Sequence, residues 1–292
     1  VPRSEHRVHR EVVSYVRRSA RMNPSQEKAW DSHAGRLVVD IPPRVTSTSV
    51  HPEAHVDWDA VFGRRAPLAV EIGSGRGEAL VALAEAHPDW NIVAFEVFQP
   101  AVASTLGRIA RQGVENVRIV LANGVEGLTV LVPPASLTEL WTFFPDPWHK
   151  PRHHKRRLVS PDFAALVAAR LTPSGSWRLA TDWADYAEAM RAVLDAAPGL
   201  VNAHASDGGW APRFAERPLT KYEARGLAAG RTVYDLTYVR ADAAHLPAAP
   251  AEPAASPPCV PPPPGPDAPP VVGDLVHRVR RPDADATGGV PL

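Results

Sequence analysis

Leu68-Ala69-Val70-Glu71-Ile72-Gly73-Ser74-Gly75-Arg76-Gly77-Glu78-Ala79-Leu80 runs from an apolar stretch, through three alternating glycines, into a helical pattern. A strand, a glycine turn and a helix in that order open a βαβ unit. Without a Cβ, Gly73, Gly75 and Gly77 allow a sharp turn and a close approach of backbone to ligand. A dinucleotide-binding loop would carry its third glycine one residue later, where Glu78 stands. Glu71, two residues before the first glycine, would repel a pyrophosphate and suits a ligand with a positive charge and an amino group.

Reading outward, the rhythm repeats. Glu78 to Ala86 reads as a helix ended by Pro88, Asn91 to Val97 as a second strand, Ala101 to Gln112 as a second helix, and Val117 to Leu121 as a third strand. Leu137 to Phe144 reads as a fourth strand and Pro161 to Leu171 as a helix stopped by Thr172-Pro173-Ser174-Gly175. A fifth strand, Trp177 to Ala180, a helix from Asp185 to Ala196 and a late strand, Thr232 to Val239, complete the series. Alternation of this kind predicts an α/β domain with a mostly parallel sheet covered on both faces. Ligands of such sheets bind at the carboxyl ends of the strands. S-adenosylmethionine, with an ammonium and a sulfonium, suits Glu71. Glu96, ending the second strand, is placed to accept from ribose hydroxyls, and Asn123, after the third, to hydrogen-bond an adenine edge.

The fourth strand ends in Phe143-Phe144-Pro145-Asp146-Pro147-Trp148-His149-Lys150, which drops one acid between two prolines with fixed φ. Trp148 has two readings, a stacking platform for a base and a core wedge. Arg152-His153-His154-Lys155-Arg156-Arg157 follows with no acid in it, a strip suited to phosphate. His149, His153 and His154 lack a nearby cysteine or acid to complete a metal set, so no metal is expected. Thr181-Asp182-Trp183 brings a second carboxylate to the fifth strand's end. Thr220-Lys221-Tyr222-Glu223 reads both as polar groups for a pocket wall and as a Thr-x-x-Glu helix cap, which spacing alone favours.

The chain has 292 residues, with Lys+Arg and Asp+Glu both 32, so any pull on a polyanion must come from local clustering. Its one cysteine, Cys259, excludes an internal disulfide and a cysteine zinc site. No run of about 18 apolar residues and no apolar leader core are present, so no membrane span is expected and a cytoplasmic location is the default. Residues 1–45 form a basic arm with Arg7, Arg10, Arg17, Arg18, Arg21 and Lys28, in which Val12, Val13 and Val16 can stripe a short helix that docks part of the arm. Residues 46–240 form the α/β domain. Residues 241–292 form a Pro/Ala-rich tail, expected to be disordered with polyproline character in places.

From about Arg17 to Val239 the chain resembles the bacterial tRNA (guanine-N7-)-methyltransferases. The specific marks are Phe-Phe-Pro-Asp-Pro-Trp-x-Lys with the His-His-Lys-Arg-Arg after it, then Thr-Asp-Trp, then Thr-Lys-Tyr-Glu. Asn23 and Asn123 stand where Thr and Asp are usual in the family, changes that keep hydrogen bonding. The resemblance implies a Rossmann-like class I S-adenosylmethionine-dependent methyltransferase with a mostly parallel seven-stranded sheet and helices on both faces. It implies methyl transfer to N7 of a guanine in the tRNA variable loop. Glu71, Glu96, Asn123 and Asp146 would contact the cofactor, with Gly73 and Gly75 in its loop and Asp146 the catalytic carboxylate. Lys150, Asp182, Thr220, Lys221, Tyr222 and Glu223 would contact the substrate, with RNA along Arg152, His153, His154, Lys155, Arg156 and Arg157. The sequence is compatible with a monomer or a homodimer.

Guanine N7 carries a free lone pair, so the missing cysteine costs this chemistry nothing, whereas a pyrimidine-C5 methyltransferase would need one. An exocyclic-amine methyltransferase commonly carries a second proline where Trp148 stands. A non-catalytic RNA-binding subunit would be under no pressure to keep Glu71, Gly73, Gly75, Glu96 and Asp146 together.

Overall fold

The computed structural model describes residues 21–241. The expectations for Arg7, Arg10, Arg17, Arg18 and the Val12–Val16 stripe, and for Cys259 and the tail beyond 241, lie outside the described residues.

The described part of the arm folds onto the domain. Helix α1 (Pro24–Leu37) starts at a capping box, in which Asn23 Oδ1 accepts from the Gln26 amide and Gln26 Oε1 from the Asn23 amide. Gln26 Nε2 also donates to the Pro100 carbonyl and to Ser104 Oγ, 2.8 and 3.0 Å away. Leu37 is fully buried and the Val39 amide donates to the Ile119 carbonyl. A short helix α2 (Trp58–Phe62) follows, capped by Asp57 and anchored by Trp58 Nε1 on the Leu131 carbonyl.

The repeating units then come in turn: β1 (Leu68–Ile72), α3 (Glu78–Ala86), β2 (Asn91–Glu96), α4 (Gln99–Gln112), β3 (Val117–Leu121), α5 (Gly124–Leu131) and β4 (Leu137–Phe143). A 3-10 helix (Pro151–Arg156), α6 (Pro161–Arg170), β5 (Leu171–Thr181), α7 (Ala184–Asp195), β6 (Leu200–Asn202), α8 (Lys221–Ala228) and β7 (Tyr234–Arg240) complete the described residues. The seven strands form one sheet in the order β3-β2-β1-β4-β5-β7-β6, with β7 antiparallel to both its neighbours and the rest parallel. Strand order reverses between β1 and β4, which opens the crevice where such sheets bind ligands.

Alternate residues of each strand serve opposite faces. Val70, Val93, Phe95 and Leu140 join one core with residues of α5, α6 and α7, while Ala69, Ile92, Ala94 and Trp141 join a second core with residues of α1, α3 and α4. Burying each such Val, Ile or Phe contributes about 1.5–3 kcal/mol. Among the described residues, no helix is long and apolar enough to cross a membrane.

One local reading changes. Thr172-Pro173-Ser174-Gly175 does not separate a helix from a strand. β5 already begins at Leu171 and carries these residues as a bulge, with Ser174 at φ +62° and the β4 register slipping between Leu137 and Glu139. Nothing in the local sequence marks α5, whose two glycines and two valines weigh against a helix on propensity. Tertiary packing requires those glycines: a Cβ on Gly124 would lie 2.5 Å from Ile72, and one on Gly127 2.3 Å from Phe95.

Candidate active site

The turn after β1 is left-handed at Gly73, Gly75 and Gly77 (φ +77°, +55° and +71°). Gly77 is required for packing as well, since a Cβ there would lie 2.5 Å from Thr105 of α4. Thr105 in turn donates to the Gly75 carbonyl at 3.1 Å. Cβ positions on Gly73 and Gly75 would instead meet nothing within 4 Å, so the backbone there borders open space.

Two carboxylates flank that turn. Glu96 Oε2 accepts from the Gly75 amide at 2.8 Å, and its Oε1 accepts from the Val97 and Phe98 amides at 2.7 and 2.9 Å. Glu71 is buried, and its Oε2 has no hydrogen-bond partner among the described residues. Burial pushes the Glu71 carboxyl up to about 8, and the charge of Glu96 adds to the rise. A buried acceptor without a donor, beside open backbone, is a place for a cationic ligand group. Asn123 caps α5, its Oδ1 accepting from the Val125 amide, and its own amide donates to the Thr48 carbonyl.

Past β4 the backbone is strained. Phe144 and Trp148 both hold positive φ (+53° and +45°), on either side of Pro145-Asp146-Pro147. Such residues cost roughly 1–3 kcal/mol each and persist where the surroundings over-determine them. Here the Phe144 amide donates to the Ala180 carbonyl, and its ring lies 5.2 Å from that of Tyr222 and 5.4 Å from the Arg217 guanidinium. The Trp148 ring lies under Arg156 at 4.8 Å and meets His153 edge-on. Trp148 is only half-buried, which sets aside the core wedge, and its ring packs against the basic strip.

Asp146 is half-buried, and the charges of Asp182 and Asp146 both reach the Tyr222 hydroxyl. Partial burial is the largest cause of that hydroxyl's raised pKa, with Asp182 next. Asp182 is itself buried, with Tyr222 Oη 3.4 Å from its Oδ1 and Arg231 Nε 3.1 Å from its Oδ2. The ends of β4 and β5 and the first turn of α8 thus bring Asp146, Asp182 and Tyr222 into one neighbourhood. The rings of His149 and Trp183, from the segments after the same two strands, meet at a tilt with centroids 4.1 Å apart.

The basic strip divides by environment. Lys150, Arg152 and Lys155 are exposed along the 3-10 helix. His153 is held below the usual imidazole range by desolvation and by the cations Arg152, Arg156, Lys150 and Lys155. Arg157 is turned inward: Nε donates to the Pro147 carbonyl, Nη2 pairs with Asp185, and the guanidinium lies over the Tyr186 ring. His154 Nε2 is 3.9 Å from the same Asp185 carboxylate.

Around α8 both readings of Thr-Lys-Tyr-Glu find a place. Thr220 caps the helix, accepting from the Glu223 amide at 3.1 Å. The Glu223 side chain does not reach back to close a capping box. It is buried between Arg213 and Arg217, and Arg217 also binds Asp235 at 2.5 Å. Lys221 and Tyr222 are exposed. Sequence reading missed Arg213, Arg217 and Arg231, because an arginine in a polar loop carries no local sign that it will pair with a buried acid.

A family model described as "Putative methyltransferase" matches residues 65–236. A tRNA (guanine-N(7)-)-methyltransferase of Cutibacterium acnes is 54% identical over 240 residues, covering 82% of this chain and 87% of that protein. One from a Nocardioides species is 52% identical, covering 80% and 90%, and one from Pseudomonas putida is 41% identical, covering 82% and 96%.

Proposed function

The chain belongs to the tRNA (guanine-N(7)-)-methyltransferase family, and on that premise we propose that Asp146 and Asp182 hold guanine against a methyl donor kept at the ends of β1, β2 and β3. It is an S-adenosylmethionine-dependent enzyme of the class I methyltransferase fold that methylates N7 of guanine in tRNA. The base is one in the variable loop, and a cytoplasmic site of action fits a tRNA substrate.

The unpartnered buried oxygen of Glu71 and the open backbone at Gly73 and Gly75 fit this cofactor. Glu71 would take its ammonium. Glu96, at the end of β2, would accept from a ribose hydroxyl. Asn123, its Oδ1 committed to the cap, would offer its amide donors to the adenine edge. When bound, S-adenosylmethionine supplies an electrophilic methyl group on a sulfonium.

No proton has to leave N7 before attack, so neither aspartate is needed as a general base. Their work is alignment and charge. They accept from the N1–H and N2–H₂ donors of guanine and favour the purine cation that forms as N7 gains its methyl. The strained Phe144–Trp148 segment holds Asp146 in place without help from substrate. Tyr222, its hydroxyl 3.4 Å from Asp182, borders the base, and Thr220 and Glu223 act through the helix they fix. Lys150, Arg152 and Lys155 face phosphate, His153 and Arg156 flank them, and His154 and Arg157 steady the loop from behind.

The convergence of Asp146, Asp182 and Tyr222 beside the crevice carries this reading. The test is incubation with unmodified tRNA and methyl-labelled S-adenosylmethionine, then mass spectrometry of the nucleosides. N7-methylguanosine is expected. Label on an exocyclic amine would favour the rival chemistry, and tRNA binding without transfer would favour a non-catalytic subunit.

A further inference from the structure

Glu78 is the first residue of α3, directly after the glycine turn, and its carboxylate is divided between two distant elements. Oε2 accepts the backbone amide of Lys221, the first residue of α8, at 2.7 Å across 143 residues of sequence. Oε1 lies 3.5 Å from Nη2 of Arg108, whose Nε reaches the Arg76 carbonyl inside the glycine turn at 3.4 Å. The first amides of a helix have no partner within it. At α8, Thr220 serves the Glu223 amide and Glu78 serves the Lys221 amide. A negative group is also favoured at a helix N-terminus. One carboxylate thus joins the cofactor turn to the helix that carries Tyr222 and Glu223. Neither Gly77 nor Thr220 makes that link.

We propose that Glu78 is a positioning residue that couples the two halves of the site, so that filling the glycine turn fixes α8 for tRNA. The inference rests on the assignment of the turn to cofactor and of residues 220–223 to the substrate side. A shift of the turn toward a bound ligand moves Glu78, and with it the amide end of α8. By linkage the effect is mutual: each ligand tightens the other by the same factor.

The experiment measures tRNA affinity by fluorescence anisotropy with and without saturating S-adenosylhomocysteine, and S-adenosylhomocysteine affinity by calorimetry with and without tRNA. In the native protein each ligand should tighten the other about fivefold or more. Glu78→Ala should reduce that factor to near one while leaving each ligand's separate affinity little changed. Glu78→Gln, which keeps an acceptor for the Lys221 amide, should retain most of it. A structural role alone would weaken both ligands and leave the factor intact. Hydrogen exchange in the native protein gives a second measure that needs no variant: S-adenosylhomocysteine should slow exchange of the Lys221 amide. An unchanged factor in Glu78→Ala, a native factor of one, or an unaffected Lys221 amide would each overturn the coupling and leave the site assignment standing. Absence of S-adenosylhomocysteine binding would overturn both.

Discussion

Glu71 and Glu96 belong to the neighbouring parallel strands β1 and β2, and the charge of Glu96 reaches the buried Glu71 carboxyl. Burial is the larger cause of the rise to about 8. The unfolded chain releases this proton near the ordinary 4.5, the folded chain only near about 8. Between those values the native state holds a proton that the unfolded state has lost, so stability is greatest below the window and falls as pH rises through it. Glu71→Gln is expected to remove that part of the slope, on the order of 1 kcal/mol per pH unit, in urea unfolding of ligand-free protein at pH 5 and pH 8. A cationic ligand pairing with Glu71 should also expel its proton, which calorimetry at pH 7 in buffers of different ionisation enthalpy would detect.

Asp146→Ala is expected to lower kcat about 100- to 1,000-fold, the loss seen when one preorganised electrostatic partner is removed. tRNA binding should persist, because the exposed cations of the 3-10 helix remain. Single-turnover rates with saturating cofactor and tRNA are the measurement, and a variant with native turnover would rule out this role.

The basic strip should not respond uniformly. Charge-neutral substitution of Arg152 or Lys155, both exposed, is expected to weaken tRNA binding and to reduce the slope of log K against log salt by about one each. Arg157→Gln should leave that slope nearly unchanged, since its guanidinium is taken by Pro147, Asp185 and Tyr186. It should instead lower the thermal midpoint. Salt titrations of the three variants separate the two groups.

Removing Glu223 or Arg217 strips the other of one of its two ionic partners. Glu223→Ala is expected to cost about 1.5–3 kcal/mol in urea unfolding, the loss of hydrogen bonds to a charged group. Arg217 also packs on Phe143 and Phe144, at 5.1 and 5.4 Å, so Arg217→Met should lower kcat as well as stability through the strained loop at Asp146. A purely local effect at Arg217 would leave kcat untouched.

Much of this architecture was legible in the chain itself. The glycine turn, the parallel strand series and the acid between two prolines rest on periodicity, on backbone freedom at glycine and on its restriction at proline. All of these act within a few residues, so Glu71, Glu96, Asn123, Asp146 and Asp182 could be assigned to strand ends without knowing how the strands pair. What tertiary structure alone decided is which polar groups are already taken. Arg157 and Arg152 look alike in a run of cations, yet one is clamped beneath the Asp146 loop and the other is exposed. Glu223 reads as a cap or a ligand contact, and only the fold shows its carboxylate buried between Arg213 and Arg217. Glu78 reads only as a helix start, and its link to Lys221 spans nearly half the chain. Burial, pairing and the rise of Glu71 to about 8 depend on what lies across space, and no local pattern encodes that.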